Sequence, residues 1–157
     1  MSLIPNAILS MKDSSQLHDY HFPNCPHFSL AELTRTEAGE KYLFKNFQHL
    51  LNDINFYNLH ILAFYLEHLR FVCGGSPLYL SCALRHPDTN CVVGGVANSD
   101  HLKGLAADIR TRFMTQSYLN CVLRVLKKHL SYGLIRYYQY NPNKHYIHIS
   151  LHDSSNY

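Results

Sequence analysis

Residues 99–109 read SDHLKGLAADI, and no other stretch constrains the fold of this 157-residue chain as strongly. His101 and Asp108 stand seven residues apart, with Gly104 and the small residues Ala106 and Ala107 between them. Residues 105–109 read as a short strand, which puts Asp108 on the face of Ala106 and away from Leu105 and Ile109. An imidazole nitrogen and a carboxylate oxygen suit a zinc ion, and a catalytic zinc site takes three protein ligands and leaves a fourth position for water. The best candidate for the third ligand is His148. There Ile147, Ile149 and Leu151 alternate with Tyr146, His148, Ser150 and His152, so one face of the strand is apolar and the other polar. His152 shares the polar face but lies about 13 Å further along at the usual strand rise, too far to bind the same ion.

The remaining elements follow from periodicity and punctuation. Residues 1–26 read as an irregular arm interrupted by Pro5, Pro23 and Pro26, with Tyr20, Phe22 and Phe28 packing it across the domain. Ser29 and Glu32 have capping-box spacing and open a short helix. Gly39 breaks it, and a second helix over residues 41–53 carries Leu43, Phe44, Phe47, Leu50, Leu51 and Ile54. A third, over residues 58–71, places Leu59, Leu62, Ala63, Leu66 and Leu69 on a core-facing stripe. Residues 77–84 read as a strand with Leu78, Leu80 and Cys82 on one face. Residues 86–98, with Pro87, Asn90, Gly94 and Gly95, read as a tight loop. An amphipathic helix over 115–130, with Leu119, Val122, Leu123, Leu126 and Leu130 on one side, and strands over 134–140 and 145–151 complete a single α+β domain spanning residues 1–157.

Composition excludes several classes. At 46% hydrophobic and 16% charged the chain is neither disordered nor membrane-embedded, and no apolar run approaches the roughly 20 residues needed to span a bilayer. No basic segment precedes an apolar core at the N-terminus, so synthesis in the cytoplasm without a signal peptide is expected. A net charge of +3, with Arg124, Lys127 and Lys128 on a helix face, gives no footprint for nucleic acid. Five cysteines without a C-x-x-C pair argue against a disulfide framework or a cysteine zinc site. His49, His60, His68 and His129 sit in helical patterns as ordinary surface or core residues, and the spacing of His18, His21, Cys25 and His27 matches no known metal motif.

Arg85, Pro87, Asn90, Val93-Gly94-Gly95, Ser99, His101, Gly104, Ala106 and Asp108-Ile109, followed by Tyr146-Ile147-His148-Ile149-Ser150, match a known signature at matching spacing. Phe28-Ser29 through Glu32-Leu33 adds an N-terminal segment. On these residues the chain resembles the zinc D-alanyl-D-alanine carboxypeptidases, metallopeptidases of the Hedgehog/DD-peptidase fold that include phage-type peptidoglycan peptidases. The resemblance implies a small antiparallel sheet with helices packed against it and one zinc per chain on the sheet, held by His101, Asp108 and His148. It implies hydrolysis of a peptide bond in peptidoglycan stem peptides by zinc-activated water, either D-Ala-D-Ala or an L-Ala-D-Glu linkage. Arg85 would anchor the substrate carboxylate or polarise its carbonyl, and Ser99 and Tyr146 would line the substrate site. A monomer acting at the cell wall after release, as in phage lysis, is expected.

The chain departs from the family pattern where many members carry an acidic base, three positions before the last histidine. Here that residue is His145, which can serve as the base or else be a substrate-binding or structural histidine. The serine after the arginine is His86, the glycine and tyrosine before it are Ala83 and Leu84, and the tryptophan is Tyr146. An alternative reading is a zinc-containing module that binds the cell wall or a partner and has lost turnover.

Overall fold

In the computed structural model, which describes residues 2–12 and 14–154, the chain runs through α1 (Asn6–Leu9), α2 (Leu30–Leu33), α3 (Glu40–Leu50) and α4 (Asp53–Val72) to β1 (Leu80–Cys82). It continues through α5 (Pro87–Val92), β2 (Ala106–Arg110), α6 (Gln116–Ser131), β3 (Tyr137–Asn141) and β4 (Tyr146–Ser150), with 3-10 turns at Ser14–Asp19 and Asp100–Lys103. This is the α+β architecture expected. Met1, Asp13 and residues 155–157 of the expected unit lie outside the described residues.

Local side-chain chemistry sets the helix boundaries. Ser29 accepts from the Glu32 N–H at 3.2 Å, as expected of a capping serine, but the Glu32 carboxylate accepts from Leu80 N and so joins α2 to β1. Asn52 accepts from the N–H groups of Ile54 and Asn55, so α4 starts five residues before the hydrophobic stripe predicts. Ile54 therefore belongs to α4 and is 67% exposed rather than part of the preceding helix's core face. The loop expected over residues 86–98 holds a helix. His86 Nδ1 accepts from the Asp88 N–H and Pro87 occupies the first helical turn, where its missing N–H costs nothing.

The sheet is antiparallel throughout, in the order β1-β2-β4-β3. Ala107, Ile109, Ile147 and Ile149 join Leu59, Leu62, Leu66 and Leu69 of α4 and Leu119, Val122 and Leu126 of α6 in one hydrophobic cluster. Each of the isoleucine, leucine and valine side chains contributes on the order of 1.5–3 kcal/mol on burial. The arm adds Ile4, Ile8, Leu17, Phe22 and Cys25 to that cluster, through two short helical turns rather than as an irregular segment. On α6, His129 takes the buried place that periodicity gives to Leu130, its Nδ1 satisfied at 2.8 Å by the Tyr65 hydroxyl. No helix among the described residues is long and apolar enough to cross a membrane.

One irregularity reorients β1. Strict alternation puts Leu80 and Cys82 on one face, but the register shifts between them, so Leu80 pairs with core-facing Ile109 while Cys82 pairs with Asp108. The polar face of the sheet therefore gains a thiol.

Candidate metal centre

Strand register sets four side chains in one row across the whole sheet: Cys82 opposite Asp108, Asp108 opposite His148, and His148 opposite Gln139. The same face carries Ala106 and Ser150, both fully buried, whose small side chains leave space beside the row.

His101 reaches this row from the 3-10 turn before β2. The Ser99 hydroxyl accepts from the His101 N–H at 3.3 Å and starts the turn, and Gly104 ends it in the left-handed region at φ 71°. Gly104 also permits a close approach to α4: a Cβ there would lie 3.1 Å from the Asn55 carbonyl and 3.3 Å from Leu59 N. The Asn58 amide donates to the Lys103 carbonyl at 3.0 Å, and His49 Nε2 lies 2.7 Å from the Leu102 carbonyl. The turn is thus fastened to α3 and α4, and the Arg85 N–H donates to the His101 carbonyl at 2.9 Å.

His101 Nδ1 lies 2.6 Å from the Ala83 carbonyl. A carbonyl only accepts, so Nδ1 carries a proton there, and Nε2, 3.4 Å from Asp108 Oδ1, is the nitrogen a metal can take once its proton is released. His148 Nδ1 lies 2.8 Å from the same oxygen, its Nε2 is 3.0 Å from the Ser150 hydroxyl, and the two imidazoles cross with centroids 5.1 Å apart. Arg85 closes the other side. Its Nη2 donates to Asp108 Oδ2 at 3.3 Å, Nη1 to Asn90 Oδ1 at 3.3 Å and Nε to Cys82 Sγ at 3.0 Å.

The electrostatics suit a cation. Burial pushes the Asp108 carboxyl up, but hydrogen bonds and charge from His101 and His148 outweigh it and hold the group well below the usual carboxylate range. Burial pushes His101 down, yet the Cys82 and Asp108 charges and hydrogen bonds prevail and lift it to about 10. The cluster thus retains a proton between imidazole and carboxylate, where a divalent ion can replace it.

Among the described residues, Cys82, His101 and Asp108 have donor atoms all within 4.8 Å of one another and can hold a metal. The thiol, however, lies 3.7 Å from His101 Nδ1, the nitrogen bonded to Ala83, and already accepts from Arg85. An ion on the Nδ1 edge would break both bonds. An ion on the Nε2 edge breaks neither and lies beside Asp108, displacing the His148–Asp108 bond; His148 is not among the converging donors, which are Cys82, His101 and Asp108.

The other expected site residues are less closely engaged. Ser99 is buried as the cap of the His101 turn rather than open as a pocket wall. Tyr146 starts β4, paired with Arg110 and Asn141, two positions from His148 on the same face. His145 is exposed at φ 55°, its carbonyl accepts from Thr111 N, and its imidazole makes no hydrogen bond to the row.

Sequence reasoning missed Gln139 and Cys82, which only strand register brings to the row. It also missed the use of the Gly-Gly pair. A Cβ on Gly95 would sit 2.0 Å from Asn90 Oδ1, so this glycine makes room for the asparagine that holds Arg85. The signal was the spacing of Arg85, Asn90 and Gly95.

No curated protein matches the chain. The family model described as Peptidase M15 matches residues 26–150, a span that takes in α2, the whole sheet and every residue of the row. With that match over most of its length, the chain belongs to the peptidase M15 family, the zinc D-Ala-D-Ala carboxypeptidase-like metallopeptidases.

Proposed function

We propose that this protein is a zinc metallopeptidase that hydrolyses a peptide bond in peptidoglycan stem peptides, a D-Ala-D-Ala or an L-Ala-D-Glu linkage, with His101, Asp108 and His148 holding one zinc ion. One observation carries the reading: a single carboxylate oxygen of Asp108 lies between His101 Nε2 and His148 Nδ1, while the opposite nitrogen of His101 is tied to a backbone carbonyl. When bound, zinc lowers the pKa of water and polarises a carbonyl.

The chain's own residues supply the rest. Arg85 keeps Asp108 oriented, and of the five N–H donors of a guanidinium, three serve Cys82, Asn90 and Asp108. The remaining two suit a carboxylate or a developing oxyanion of the substrate. His145 is assigned proton transfer, because it is exposed in the turn of the β3–β4 hairpin, three residues before His148. Tyr146 borders the row as a substrate contact, and the buried Ala106 leaves space beside it. Action at the cell wall after release, as in a phage-type lysin, belongs to this reading.

A second reading is a zinc-containing wall-binding module without turnover. The side chain opposite His148 is Gln139, an amide that has no group titrating near neutral pH, and His145 makes no bond to the row. Mass spectrometry of a mixed muropeptide digest incubated with zinc-loaded protein separates the two. Loss of one alanine or release of a stem peptide, abolished by chelator and restored by zinc, is expected of the peptidase. Cleavage that survives chelation refutes it, and one zinc per chain with no product selects the binding module.

A further inference from the structure

α4 is apolar on two sides. Leu59, Leu62, Ala63, Leu66 and Leu69 face the core, whereas Ile54, Tyr57, Ile61, Phe64 and Phe71 are 45–79% exposed, and His68 is exposed among them. The outer residues are spaced three, four, three, four and three apart, the a/d seam of a heptad repeat carried over five turns. A helix that is apolar all round has its outer face covered in the assembled state. Among the described residues, the chain meets this seam at its start, where Leu3, Asp153 and Ser154 lie beside Ile54 and Tyr57, and along its flanks. Phe22 stacks on His60 at 4.7 Å on one flank, and His129 of α6 stacks on His68 at 5.4 Å on the other.

We infer that the seam is the interface of a homodimer in which α4 packs antiparallel against α4 of a second copy. Three observations select a second copy. First, the spacing is self-complementary: Ile54 and Phe71, Tyr57 and His68, and Ile61 and Phe64 are placed symmetrically about the midpoint between residues 62 and 63. An antiparallel partner therefore sets isoleucine against phenylalanine in four layers and tyrosine against histidine in two. A phenol against an imidazole is a polar layer of the kind that fixes register. Second, antiparallel pairing sets the start of each α4 beside the end of the other and so opposes the helix dipoles. A parallel pair would align those dipoles. Third, at on the order of 200 Å² per large side chain, the five exposed apolar residues present roughly 600 Å². With Leu3 and Val72, also exposed, this approaches the roughly 800 Å² per partner of a standard interface and exceeds most patches on monomers. The chain is thus a dimer rather than the monomer expected from its sequence.

Light scattering or sedimentation of the full chain at about 1–100 μM tests this. Twice the chain mass is expected, with Ile61→Glu and Phe64→Glu each weakening dimerisation roughly hundredfold or more while helix content and zinc content stay unchanged. Both positions are exposed in the single chain, so neither change disturbs the core. Orientation is read in a Cys91→Ser background, which removes the exposed thiol. There Tyr57→Cys and His68→Cys should form a disulfide dimer when mixed and none when oxidised separately. A monomer at 100 μM, a dimer indifferent to both glutamates, or self-crosslinking of Tyr57→Cys would each overturn the inference.

Discussion

Gly95→Ala probes the link between the Gly-Gly pair and the metal centre. Gly95 is not in the left-handed region, so an alanine meets no backbone penalty there, and its effect comes from contact alone. The new Cβ would lie 2.0 Å from Asn90 Oδ1 and 2.6 Å from its Cγ, which forces the buried amide to rotate. Rotation breaks the bond from Asn90 Nδ2 to the Val96 carbonyl at 2.9 Å and the bond from Arg85 to Asn90 Oδ1 at 3.3 Å. A neutral hydrogen bond contributes about 0.5–1.5 kcal/mol and one to a charged group about 1.5–3, so the loss should be about 2–4 kcal/mol. Urea unfolding of the metal-free protein measures it. Asn90→Ala removes the same bonds, so Gly95→Ala should cost little more in that background, a coupling nearly as large as the single-variant loss. Gly94→Ala is the contrast: with φ 73° and open space around it, it should cost about 1–2 kcal/mol in either background. Additive losses for Gly95→Ala and Asn90→Ala would refute the steric argument.

Metal analysis should show zinc affinity down more than about hundredfold in His148→Ala, unchanged stoichiometry in Cys82→Ala, and zinc retained without turnover in His145→Ala. Equal losses in the first two would make the thiol a ligand. Gly104→Ala combines a left-handed φ with a 3.1 Å approach to the Asn55 carbonyl and should cost about 1–3 kcal/mol by denaturant unfolding; an unchanged midpoint would contradict the packing of the His101 turn on α4. In the metal-free protein Asp108, held low, contributes stability above its ordinary 3.8 that is lost on acidification. His101, raised from 6.5 to about 10, contributes stability that is complete below 6.5 and lost as pH rises toward 10. Stability should therefore fall from pH 6.5 to 10 without zinc, and zinc binding near pH 7.5 should release about one proton in calorimetry across buffers of different ionisation enthalpy; no release would mean the cluster holds none.

Much of this architecture was legible in the chain because it is local. Alternation in residues 146–152 and the small residues around Asp108 assigned faces to β4 and β2, and the structure brings Asp108 and His148 into register on the polar side. Thr115 and the stripe of α6 set that helix to within a residue of its observed ends. The α5 helix was hidden because Pro87, Asn90 and the glycines read as turn punctuation, while the evidence for it was a histidine acting as a cap. The outward face of α4 escaped notice because its leucine stripe accounted for the helix by itself.

The sequence by itself determined most element types, the family and two of the residues able to hold a metal, His101 and Asp108, since these depend on short-range periodicity and on side-chain chemistry at definite spacings. Tertiary structure decided everything that depends on register and closure. It decided that a shift in β1 brings Cys82 beside Asp108, that the β3–β4 hairpin sets Gln139 opposite His148, and that Gly95 makes room for Asn90. It also decided which nitrogen of His101 a metal can take, because that depends on a carbonyl eighteen residues away. A one-residue shift along a strand moves a side chain to the opposite face at almost no cost in local propensity, so only the packed sheet selects among such alternatives.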